Sequence, residues 1–151
     1  METNNFKNTA ALTHLSALSQ YFIPFGNYIF PIVIWNSYKE KSDFIAFHGK
    51  QILNFQLSLF LYSLILLLIS IPILIYNVFI NIPFTTLIND NEIIIDHLKF
   101  NGNIGIISIA IMALITFGIL KAVEFFLIVY AAIKASNGEK YNYPLTIKFF
   151  K

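Results

Sequence analysis

IGIISIAIMALITFGILKAVEFFLIVYAAI, residues 104–133, decides the fold. Its polar side chains are Ser108, Thr116, Lys121 and Glu124, and the remainder is apolar on every helical face. A hydrocarbon core about 30 Å thick takes ~20 helical residues to cross. A buried helix of a water-soluble domain is seldom this long and this apolar all round. The stretch reads as a membrane span with a Lys–Glu pair inside it. Composition agrees: the hydrophobic fraction is 57% and the charged fraction 12%, against roughly 25% charged in an average soluble domain. So few charges cannot coat a water-facing surface, and lipid is the solvent for most of the chain.

Working outward, a second span runs from 51 to about 80. In it Gln51, Asn54, Ser58 and Tyr62 recur at intervals of three, four and four, a polar stripe that in lipid turns toward another helix. Pro72 is expected to bend this span. The segment 9–37 is also apolar enough to cross, with Thr13, Ser16 and Gln20 on one face. Ile23-Pro24-Phe25-Gly26-Asn27 interrupts it, because Pro24 lacks a donor and Gly26 permits redirection. Two half-helices follow, about 9–22 and 27–37, arranged as a kinked span or, alternatively, a re-entrant hairpin shielded by neighbours; the kinked span is preferred. Residues 1–8 read as loose, with Asn8 or Thr9 able to cap a helix. Residues 42–50 and 140–150 are expected to lie on the membrane surface, and Asn137-Gly138 ends the third span. The expected fold is thus an all-α membrane protein forming one domain over 1–151. It has three principal transmembrane helices (9–37 broken at Pro24–Gly26, 51–80, 104–134), an outer loop at 81–103 and a tail at 135–151.

All ten basic residues are Lys, and the net charge of +2 is too small to imply nucleic acid. With no Cys there is no thiol nucleophile or thiolate metal site. The N-terminus does not read as a cleavable signal peptide. Lys39, Lys41 and Lys50 flank one connector and Lys134, Lys140, Lys148 and Lys151 lie in the tail, whereas 81–103 holds only Lys99 among Asp90, Glu92 and Asp96. The positive-inside rule then puts connector and C-terminus in the cytoplasm of a bacterial inner membrane and the acidic loop outside. A kinked first span would place the N-terminus outside, a hairpin inside.

Four stretches in order resemble one bacterial family: His14-Leu15-Ser16; Phe22-Ile23-Pro24-Phe25-Gly26-Asn27 with Pro31-Ile32-Val33-Ile34-Trp35; His48-Gly49-Lys50 with Asn54-Phe55-Gln56; and Ala132-Ile133-Lys134-Ala135 with Asn137-Gly138-Glu139 and Tyr143-Pro144. Together they are similar to the MamF/MmsF-like magnetosome membrane proteins, a domain loosely likened to an inner-envelope protein-import component of the Tic complex. The resemblance covers nearly the whole chain except 81–103. It implies a small polytopic helical protein of the inner membrane, often thought of as self-associating, and brings no catalytic site. Relatives usually carry acidic residues where this chain has Ala46 and Phe47, and the outer loop is longer than usual.

Among candidate site residues, Lys121 and Glu124 stand three apart near mid-span, where a lone charge costs ~2.5–3.5 kcal/mol. They read as an ion or proton relay or, preferably, as a neutralising pair that glues helices together through Thr13, Ser16 and Gln20 or Gln51, Asn54 and Ser58. His48 and Lys50 suit a lipid headgroup phosphate, or simply a helix start. Asp90, Glu92, Asp96 and His97 form a weak oxygen-ligand pattern better read as a solvated loop. His14 reads as a packed residue rather than a ligand. The break at Pro24, Gly26 and Asn27 resembles transporter half-helices, though proline kinks without such a role are common. No phosphate loop, His-Glu-x-x-His or Gly-x-Ser-x-Gly is present.

The function expected from these residues is a non-catalytic inner-membrane scaffold or accessory subunit, with no cofactor or metal. Its partners would be the bilayer and either itself or another membrane protein. The alternatives are a transport or protein-import path lined by the broken helix and Lys121/Glu124, and an anionic-lipid sensor.

Overall fold

A computed structural model describes residues 3–81 and 104–150. Among them are four α-helices, one 3-10 helix and no strand: α1 (Asn4–Leu15), the 3-10 helix (Ser16–Tyr21), α2 (Gly26–Tyr38), α3 (Asp43–Asn81) and α4 (Ile104–Ser136). Two helical stretches, Asp43–Tyr76 (34 residues) and Gly105–Ser136 (32 residues), are long and apolar enough to cross a membrane. The third span expected over 9–37 is not among them. The acidic cluster Asp90, Glu92, Asp96 and His97 lies outside the described residues.

The chain divides into two compact units: residues 1–61 with 121–151, and residues 62–120. In the first, the break at 22–25 reverses the chain. Gly26 N–H donates to the Ile23 carbonyl at 3.0 Å, and Phe25 takes a left-handed conformation at φ 62°. With Pro24 before it, this has the form of a type II turn, whose third residue needs positive φ. Gly26 does a different job from the one expected: a Cβ there would sit 2.5 Å from Ser19 Oγ, so α2 can begin only where the side chain is absent. Because the chain reverses, Phe6 near the start of α1 and Tyr38 at the end of α2 pack on one buried cluster, Ala10, Ala11, Phe44, Ile45, Ala132 and Ala135. The first segment is therefore a hairpin with both ends at one level, not a kinked span. Phe6 in that cluster also explains why α1 begins at Asn4 rather than being capped at Asn8 or Thr9.

Residues 43–50 do not lie along a surface. They form the first two turns of α3, with Phe44, Ile45 and His48 buried. From Ile52 to Gln56 every residue is buried, as expected of a helix surrounded by the hairpin, α4 and the tail. At the far end α4 stops in a Schellman motif. Glu139 N–H reaches the Lys134 carbonyl at 3.0 Å, Gly138 N–H reaches Ala135 at 2.9 Å, and Gly138 supplies φ 83°.

The second unit holds the remaining turns of α3 and α4. Its buried positions are small or apolar: Ser63 and Ser70 on α3, Ile107, Ala110 and Ala113 on α4. The other faces carry exposed Leu, Ile, Tyr and Met side chains, among them Leu68 and Met112. α3 continues as helix through Pro72.

Candidate functional site

Apart from an Asn27–Gln56 pair, the polar side chains of the first unit gather into three groups, each spanning elements far apart in sequence. The deepest is built on Glu124, which is fully buried. Lys121 Nζ donates to its Oε2 at 2.8 Å from one turn earlier on α4, and Gln20 Nε2 donates to its Oε1 at 2.9 Å from the tip of the hairpin. The Lys121 side chain is 37% exposed, so one partner is buried and the other reaches outward. Of the first segment's polar stripe, only Gln20 bridges to another helix here. Thr13 Oγ1 turns back to the Thr9 carbonyl and Ser16 Oγ to Thr13, satisfying local carbonyls.

Beside the hairpin break, Asn27 Nδ2 donates to Gln56 Oε1 at 2.7 Å. Gln56 Nε2 is buried without a hydrogen-bond partner, as is Trp35 Nε1. Trp35 packs on Gly49, where an added Cβ would lie 2.1 Å from Trp35 Cδ1. Asn27 is thus a pairing residue, while Pro24 and Gly26 shape the turn.

The second group is one that sequence reasoning missed. The α3 stripe grips the C-terminal tail. Gln51 Nε2 donates to Asn142 Oδ1 at 2.9 Å. Ser58 Oγ accepts the Ile147 N–H at 2.8 Å. Asn54 Oδ1 accepts the N–H groups of Phe149 and Phe150 at 3.0 and 2.8 Å, while its Nδ2 donates to the Phe150 carbonyl at 3.0 Å. Residues 142–150 have no regular structure of their own, so their backbone groups need such partners.

The third group joins α1, α3 and the tail. Tyr143 Oη and His14 Nδ1 are 2.9 Å apart, and His14 Nε2 and His48 Nδ1 are 2.7 Å apart. Both histidines are fully buried and Tyr143 is 5% exposed. Tyr143 also stacks on Phe55 with ring centroids 4.1 Å apart. Burial, then Tyr141 and Glu124, hold its hydroxyl well above the usual phenol range, so it stays protonated and can donate. The His48 ring is fully buried, while Lys50, two residues on, is half-buried. Among the described residues no group of three or more His, Cys, Asp and Glu side chains is placed to hold a metal. His14 and the tail residue Tyr143 were the readable signal for this cluster, but nothing in their spacing pairs them.

Two long apolar helices, a short helical hairpin packed against both and a tail strapped alongside define a small helical protein with candidate membrane spans. The chain belongs to the MamF/MmsF family, described as the magnetosome magnetite crystal formation protein family, whose sequence model matches residues 5–150. No curated protein and no solved structure matches the chain.

Proposed function

We propose that the chain is a non-catalytic integral scaffold or accessory subunit of a bacterial inner membrane, acting in a magnetosome-type compartment. There it associates with itself or packs against a larger membrane complex. One observation carries this reading: the deep polar side chains of the first unit are turned onto one another. Glu124 is held by Lys121 and Gln20, Asn27 by Gln56, and the Asn54–Ser58 stripe by the tail. Groups paired in this way act as glue between elements, whereas a conduction path presents them to a passing solute. The apolar side chains left exposed on α3 and α4 face lipid or a partner helix.

The hairpin enters from the cytoplasmic side and turns back, so N-terminus, connector and C-terminus share that side, in keeping with the placement of Lys39, Lys41, Lys134 and Lys140. The test is a pair of single changes against the double. Lys121→Leu leaves the buried carboxylate with Gln20 alone, and Glu124→Leu leaves an ammonium without its acid. Lys121→Leu should lower the stability of the folded protein by an amount of the order expected when a buried charge loses its partner, ~3–5 kcal/mol. Glu124→Leu should lower it by less, because the Lys121 ammonium it leaves reaches outward. Lys121→Leu with Glu124→Leu together should recover most of it and keep whatever copurifies in mild detergent. Loss of function in a well-folded double variant would instead favour a transport or protein-import path.

A further inference from the structure

We propose that the buried chain Tyr143–His14–His48 is an acid-sensitive catch for the C-terminal strap, holding residues 142–150 against α3 when both imidazoles are neutral and releasing them on protonation. Each link of this chain has room for one proton. With Tyr143 O–H donating to His14 Nδ1, His14 must carry its proton on Nε2 and donate to His48 Nδ1. His48 then carries its own on Nε2, which makes no well-formed hydrogen bond and lies against the Glu139 backbone. All three groups are neutral and the chain runs in one direction.

Adding a proton reverses it. A doubly protonated His48 donates through Nδ1 to His14, which must shift its own proton to Nδ1 and donate to Tyr143. The phenol then becomes the acceptor and its O–H loses the partner it had. The first proton therefore acts on the link that holds the tail. It also places a full charge where both rings have no solvent exposure, a costly location for an unpaired ion. A second proton would set N–H against N–H across the 2.7 Å contact.

The charges around the cluster do not offset this. Lys140 bears on His48 and sits over Phe47. Tyr141 lies against Tyr143. Glu139 faces the cluster through its backbone, with its carboxylate taken by Lys134 at 2.6 Å. Glu124, the acid that acts on Tyr143, is already held by Lys121 and Gln20. Free imidazole titrates near ~6.5. Since the released state binds more protons, docking is complete above that range and weakens as pH falls below it.

The strap includes Phe150, whose ring lies 5.8 Å from the chain's single tryptophan, Trp35, so intrinsic fluorescence reports its position. The full chain in lipid nanodiscs is titrated from pH 7.5 to 4.5 while Trp35 emission and acrylamide quenching are followed. A chain shortened by residues 145–151 gives the undocked reference. Because the protein has no cysteine, spin labels at Phe60→Cys and Leu145→Cys, both exposed positions, give an independent separation. The expected result is a reversible step toward the undocked spectrum, with the labels moving apart, that is absent in His14→Gln with His48→Gln. A wild-type chain with no step overturns the proposal, as does a step of equal size in that variant. Should the variant fail to fold, Tyr143→Phe serves: it removes the link between the histidines and the strap while Asn54 and Ser58 still hold the tail. It must therefore abolish the step in Trp35 emission, and a step of wild-type size overturns the catch.

Discussion

Glu124 accepts from Lys121 on one oxygen and Gln20 on the other, and that division shows how a carboxylate persists where its charge alone would be expensive. Asn54 works similarly on neutral groups, meeting two backbone donors and one acceptor of the tail through a single amide. Asn54→Ala should strand those groups and cost on the order of 1–3 kcal/mol, read as a lowered unfolding temperature in detergent together with more exposed Trp35 emission. Unchanged emission would count against the strap. Gly49→Ala should also be destabilising, by roughly 1–3 kcal/mol, since its methyl would enter the Trp35 ring; thermal unfolding checks it. The spacing of Gln51, Asn54 and Ser58 was legible as a stripe needing partners. The partners were not, because they lie 89 to 96 residues away in a tail whose own sequence has no helical period.

Among the elements, α4 was readable almost to both ends and α3 to its C-terminal end only, since a run of apolar residues with few charges has one low-energy form in lipid. The hairpin was only half readable. Pro24 and Gly26 marked a break, but neither decides between a bend and a reversal. What decides is tertiary: Gly26 against Ser19, Asn27 with Gln56, and Phe6 and Tyr38 on one cluster. Phe25, not glycine, holds the left-handed position, which no propensity would have chosen. Its aromatic side chain is exposed. A hairpin puts both ends on one side, so cysteines placed at Asn5 and Ser37 should react with a membrane-impermeant maleimide from the same face. Reaction from opposite faces would restore the kinked span. The surface-lying reading of 42–50 failed because its alternating Phe and Ile pack into the base cluster and His48 finds His14.

For the whole molecule, a charged fraction of 12% and the many exposed aliphatic side chains on α3 and α4 leave the chain dependent on lipid or detergent. It should remain with the membrane after an alkaline carbonate wash, and recovery in the supernatant would contradict both candidate spans. Class and family were legible in the sequence. The inward pairing was not, since pattern says which side chains must be satisfied and only the assembled chain says by what.

The strap has a bearing on how the protein is made. Hairpin residues leave the ribosome before the partners that Gln20 and His14 need, which lie on α4, on α3 and at Tyr143. The hairpin therefore cannot close on its partners as it is made, and its polar side chains stay unpaired until the strap has been synthesised.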